Sequence, residues 1–142
     1  MARGERKAIR DTIGQIILDV VPDWKVYTTR SKDARNDKYY IEVYMANGDQ
    51  EGQGIATITE ARLVVGINKK GIQTDDELDA VGDIIEEALE ITNATPALSN
   101  DTLQGLVSGL SFAGFEYPPD ENSATSTLNL LYAIIFNPRT TE

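Results

Sequence analysis

Tyr39-Tyr40-Ile41-Glu42-Val43-Tyr44-Met45 alternates between two kinds of side chain. Tyr39, Ile41, Val43 and Met45 fall on one face and Tyr40, Glu42 and Tyr44 on the other, the signature of a strand with one face turned to a core. Forward of it, Asn47-Gly48-Asp49-Gln50-Glu51-Gly52-Gln53-Gly54 is too rich in glycine to pack. It predicts the flexible tip of a long hairpin, whose second strand covers residues 55–67. Asn68-Lys69-Lys70-Gly71 then predicts a turn. Backward of it, residues 30–38 are polar with few apolar anchors and predict a mobile loop, and residues 24–29 predict a short strand.

Two helices flank this hairpin. Over residues 5–20, Ile9, Ile13, Ile16, Ile17 and Val20 recur at three- and four-residue steps with Arg6, Lys7, Arg10 and Asp11 between them, which predicts an amphipathic helix. Pro22 stops it, because the residue before a proline is pushed out of helical space. Thr74 opens the second helix as a cap, with Glu77 three residues on to bond back and with Asp75 and Asp76 favouring the positive end of the helix dipole. Leu78, Val81, Ile85, Ala88 and Leu89 form its apolar stripe, leaving Asp79, Asp83, Glu86, Glu87 and Glu90 outside.

The C-terminal third is less regular. Leu103, Leu106, Val107 and Leu110 suit a helix, yet residues 107–117 equally suit a strand interrupted by Gly109 and Gly114; the reading favours a short turn and then a strand. Residues 118–123, led by Pro118-Pro119, predict a turn. Leu128, Leu130, Tyr132, Ile134 and Phe136 alternate on a final strand, ended by Pro138, which forms a second hairpin with the one before. The order α-β-β-β-α-β-β predicts an α+β fold: a largely antiparallel mixed sheet of about four to five strands with helices packed on it. A length of 142 residues, 41% hydrophobic, predicts one domain over residues 1–142.

Composition narrows the chemistry. The chain has no cysteine and no histidine, so it lacks thiolate chemistry, disulfides, a Ser-His-Asp relay and the commonest neutral metal ligand. Gly48, Gly52 and Gly54 precede a strand, with no Gly-Lys-Ser/Thr, and so make no phosphate cradle. The aspartates between 33 and 51 lack calcium-loop spacing. The helix carboxylates suit a capped, solvated helix better than an acid/base pair, which needs one carboxyl group in an apolar pocket. The triplets at Asn93 and Asn100 match a glycosylation pattern, but the charged N-terminal stretch is no apolar signal core, and no apolar run is long enough to span a membrane. The sequence therefore predicts a cytosolic, non-catalytic protein that needs no metal or cofactor and works through its surfaces.

Those surfaces differ in charge. Residues 1–38 hold nine Lys/Arg against six Asp/Glu, net +3, while residues 39–142 hold four against seventeen, net −13. Such an excess disfavours a nucleic-acid grip. It reads either as a solvated face that keeps the protein soluble or as a wall past which DNA slides. Arg30, Lys32, Arg35, Tyr44, Asp49 and Glu51 are the candidate subunit or partner interface, and Asp79, Asp83, Glu86 and Glu87 the acidic surface.

The succession of the acidic helix, Pro96-Ala97-Leu98-Ser99, a strand ending Gly114-Phe115-Glu116-Tyr117, an acidic turn and the closing Leu128-Asn129-Leu130-Leu131-Tyr132-Ala133-Ile134 resembles the tail terminator proteins of long-tailed bacteriophages, the lambda gpU type. The N-terminal helix opening Arg6-Lys7-Ala8-Ile9-Arg10 and the strand pair around residues 47–54 occupy equivalent places, so the resemblance in layout covers nearly the whole chain. The glycine-rich loop and residues 30–38 differ from the family, and no contact carries over there. The resemblance implies a six-membered ring that caps the completed tail tube, ends its polymerisation and joins the tail to head-completion or neck proteins. It implies a place in the virion at the tail–head junction after assembly in the host cytoplasm, with DNA passing through the ring without specific binding and no membrane partner. A head–tail joining or neck connector is the alternative assembly role. A small-molecule-binding or enzymatic domain is the alternative class, and a deep apolar pocket with convergent polar groups would mark it.

Overall fold

The computed structural model describes residues 6–29, 39–51, 58–70, 75–94, 109–118 and 125–136. Helix α1 (Arg6–Val20) is followed by strands β1 (Lys25–Tyr27), β2 (Tyr39–Glu51) and β3 (Ile58–Lys70), helix α2 (Asp75–Ala94), and strands β4 (Gly109–Glu116) and β5 (Thr125–Phe136). The strands form one mixed sheet in the order β1-β2-β3-β5-β4. Only the β1–β2 pairing is parallel, so the α+β class, the element order and the mostly antiparallel sheet all match the expectation.

Alternation decides which face of the sheet is covered. On β3, Ala61, Leu63, Val65 and Ile67 are buried together with Ile41 and Val43 of β2 and with Leu128, Leu130, Tyr132, Ile134 and Phe136 of β5. Helix α1 adds Ile9, Ile13, Ile16 and Ile17 to this cluster, and α2 adds Leu78, Ile85 and Leu89, with Val81 and Ala88 packed at its edge. Both helices therefore lie on one face of the sheet. The expected Val20 is exposed and Val21 takes its place in the core. The reason is the helix end: Val21 N–H still donates to Ile17 C=O at 2.9 Å, but the chain then turns at Pro22.

The opposite face carries a polar lattice. Asn68 Nδ2 donates to Gly66 C=O at 3.2 Å, Thr127 Oγ1 donates to Asn68 Oδ1 at 2.7 Å, and Asn129 Nδ2 donates to Glu116 Oε1 at 3.3 Å. Asn68 and Asn129 are buried by neighbouring side chains on the sheet, so these bonds offset a desolvation cost of about 1–3 kcal/mol per group.

Two expected loops are strand instead. Residues 47–51 belong to β2, in register Asn47↔Arg62 through Glu51↔Ile58, and residues 68–70 continue β3 against Thr127, Ser126 and Thr125. Turn chemistry predicted loops there, but a bulge between Met45 and Asn47 absorbs one residue and lets the ladder hydrogen bonds continue. The second strand is described from Ile58, and residues 55–57 of its expected span lie outside the described residues. The Thr74 cap lies outside the described residues, and Glu77 is paired with Lys69 Nζ of β3, tying the start of α2 to the sheet.

At the other helix, Asp11 is held below its ordinary carboxylate value of 3.8, first by a hydrogen bond from Lys7 (2.6 Å) and then by one from Thr28. The second bond links α1 to the segment after β1. Among the described residues no helix is long and apolar enough to cross a membrane.

Because Ile67 is fully buried beneath α2 and flanked on both sides by paired strands, Ile67→Ala is expected to cost about 2–5 kcal/mol. Urea unfolding followed by circular dichroism would show this as a lower midpoint with an unchanged slope.

Candidate functional site

Edge strand β4 alternates in two phases. Leu110 and Phe112 pair with Ile134 and Tyr132 of β5, but a bulge between Phe112 and Gly114 shifts the register so that Phe115 pairs with Leu130. Ile134, Tyr132 and Leu130 all lie on the helix-covered face, so the bulge keeps Phe115 on that face, where unbroken alternation would have put Gly114 and Glu116. Gly114 has φ +143°, a conformation that costs other residues strain and glycine little.

Helix α2 meets this re-aimed edge. Asp79, Asp83 and Glu86 follow one another at steps of four and three, which places them on one side of the helix. With Phe115 and Tyr117 they surround a pocket of about 250 Å³ floored by Gly82, Leu128 and Leu130. Gly82 permits the close approach of α2 to the sheet, since a Cβ there would come within 3.1 Å of Leu128 Cδ2. Tyr117 donates its hydroxyl proton to Asp79 Oδ1 across the rim. Phe115 stays 60% exposed and Phe112 and Tyr117 each 44%. Phe115 and Tyr117 meet edge to face at 5.8 Å, and Phe112 and Tyr132 do so at 5.4 Å. The result is a cleft with three carboxylates above a floor of Gly82, Leu128 and Leu130, and among the described residues no lysine or arginine lines it.

Three of the four residues of the expected acidic surface, Asp79, Asp83 and Glu86, are brought together here, with Glu86 half-buried; Glu87 is exposed on the same helix but outside the pocket. Of the expected interface residues, Tyr44, Asp49 and Glu51 fall among the described residues, all on β2. Tyr44 is half-buried on β2, opposite Val64, on the face away from the helices. The backbones of Asp49 and Glu51 are paired with Glu60 and Ile58 in the ladder, and not in a flexible tip as expected. Arg30, Lys32 and Arg35 lie outside the described residues. Phe115 and Tyr117 escape sequence reasoning as pocket residues because unbroken alternation puts them on the face away from the helices. Gly114 between two aromatics was the available signal.

Among the described residues no group of three or more acidic side chains is placed to hold a metal ion. The arrangement combines exposed aromatic rings, an apolar floor and a negative rim, features suited to recognition.

The family profile described as phage minor tail protein U matches residues 4–136. That span is most of the chain, and the protein belongs to this family. Among solved structures, a chain of the virion of the native gene transfer agent (GTA) particle shares the fold, with a TM-score of 0.58 at 13% sequence identity over 89% of this chain and 92% of that one. No match is found among curated proteins.

Since Gly114 faces open space but has positive φ, Gly114→Ala tests the backbone alone. It is expected to cost about 1–3 kcal/mol, read as a lower urea midpoint. An unchanged midpoint would show that the bulge does not require glycine.

Proposed function

We propose that this phage minor tail protein forms a ring, six-membered by its family resemblance, that caps the tail tube, ends tube polymerisation and provides the interface joining tail to head. Membership of the tail protein family over residues 4–136 carries the reading. The other observations support it. A chain with neither histidine nor cysteine fits a non-catalytic part, and an acid-rimmed aromatic cleft fits a contact surface.

A closed ring is built from head-to-tail contacts, so each subunit must present two unlike patches. The charge split supplies them: Arg30, Lys32 and Arg35 in the basic first 38 residues, and the carboxylates of the remainder. Tyr44, Asp49 and Glu51 complete the proposed contact set toward the neighbouring subunit or toward its partners, the tail tube protein on one side and a head-completion or neck protein on the other. The protein then resides at the tail–head junction after assembly in the host cytoplasm. A net charge of −10 lets duplex DNA pass the lumen without being held.

Purified protein mixed with tail tubes is expected to add a ring of density at one tube end in electron micrographs and to halt tube growth. Binding to filled heads with no affinity for tubes would instead identify a neck connector. Reversing Arg30, Lys32 and Arg35 to glutamate is expected to reduce ring formation measured by light scattering, and unchanged rings would end the charge-pairing account. In low salt the isolated protein is expected to leave a labelled duplex unbound, and tight binding would count against a slippery lumen.

A further inference from the structure

The α2–β4 pocket has a composition that selects one kind of occupant. Its rim is anionic, through Asp79, Asp83 and Glu86, and its wall is the exposed ring of Phe115 beside Tyr117. Its volume of about 250 Å³, just under the roughly 300–1,000 Å³ of small-molecule sites, has room for a single side chain. The carboxylates do not converge as a metal-ligand group. They stand above an apolar floor, and a bare ion would gain nothing from that floor or from the aromatic wall.

A planar cation answers every feature. Guanidinium stacks on an aromatic face, is more weakly hydrated than an ammonium group and forks two hydrogen bonds to carboxylate oxygens. Its methylene stem covers the leucine floor. Lysine matches the charge but not the flat ring and the fork.

Resting on the ring reading, we propose that this pocket is the socket for an arginine of a neighbouring copy, supplied by the basic first 38 residues of that copy. Charge complementarity carries the choice of occupant. Every arginine of residues 1–38 lies in a segment of net +3, whereas the pocket belongs to the segment of net −13. A ring contact needs a donor and an acceptor on different parts of one chain. Arg6 and Arg10, on the exposed side of α1, and Arg3, Arg30 and Arg35 are the candidate donors. The positive-φ bulge at Gly114 turns Phe115 toward the carboxylates, so a backbone device builds the acceptor.

The test compares three single variants by light scattering and sedimentation, with far-ultraviolet circular dichroism confirming the fold of each. Asp83→Lys and Phe115→Ala are each expected to weaken ring assembly roughly tenfold or more, the scale of one lost charge-assisted or aromatic contact. Glu87→Lys makes the same charge change on the same helix outside the pocket and is expected to leave assembly nearly unchanged. Equal losses for Asp83→Lys and Glu87→Lys, or full assembly by Phe115→Ala, would overturn the socket.

The cysteine-free chain permits a second readout. A chain carrying Asp83→Cys, mixed with chains carrying cysteine in place of Arg3, Arg6, Arg10, Arg30 or Arg35, is expected to form a mixed disulfide with at least one of them. If rings assemble and none cross-links, the donor is not this segment and the proposal falls while the ring reading stands. Asp83→Lys rings that form normally but no longer cap tubes would assign the pocket to the tube protein and likewise overturn pairing between copies. If the unaltered protein assembles neither alone nor on tubes, the ring reading itself fails.

Discussion

The structure depends on β3 being paired along both edges at once. Residues 59–70 are in register with β5 while residues 58–69 are in register with β2, so almost every backbone group of this strand is satisfied within the sheet. With that row fixed, one set of alternate side chains, from Ala61 to Ile67, must be buried. Both helices are drawn to that side because their apolar stripes have no other surface of comparable extent to cover. The polar lattice of Asn68, Thr127, Asn129 and Glu116 then occupies the side the helices leave open.

Most of this architecture can be read from side-chain spacing. Ile41 and Val43 alternate with polar neighbours, Leu128 to Phe136 does the same, and Leu78, Ile85 and Leu89 recur with helical steps. What spacing hides are the two places where a strand changes phase. At Ala46, turn-forming residues follow an extra residue, and local turn chemistry suggested a loop where cross-strand hydrogen bonding to residues 58–62 prevails. At Ala113 the phase change conceals which aromatics lie on the helix side, and so conceals the pocket. The parallel pairing of β1 with β2 is likewise a matter of tertiary arrangement, since three residues carry no period. Helical spacing groups Asp79, Asp83 and Glu86 on one side of α2, while Phe115 and Tyr117 join them from distant positions in the chain, beyond the reach of local periodicity.

A helix presents carboxylates at helical spacing, a sheet edge presents rings, and an apolar floor joins them, an arrangement suited to geometric and electrical complementarity. Family membership places that chemistry in a phage tail, where a subunit is judged by which neighbours it accepts.

The same bulge that aims Phe115 also bears on solubility before assembly. A sheet with open ends is a template for unwanted strand addition, and β4 and β1 are the two ends of this one. One end is only three residues long, and the other is broken in mid-course by the kink at Gly114. Beyond the three residues that β1 covers, β2 runs on to Glu51, and the bulge at Ala46 interrupts that stretch of edge as well. Kinked edges discourage strand addition, which leaves contact to side chains that discriminate between partners rather than to a backbone that does not.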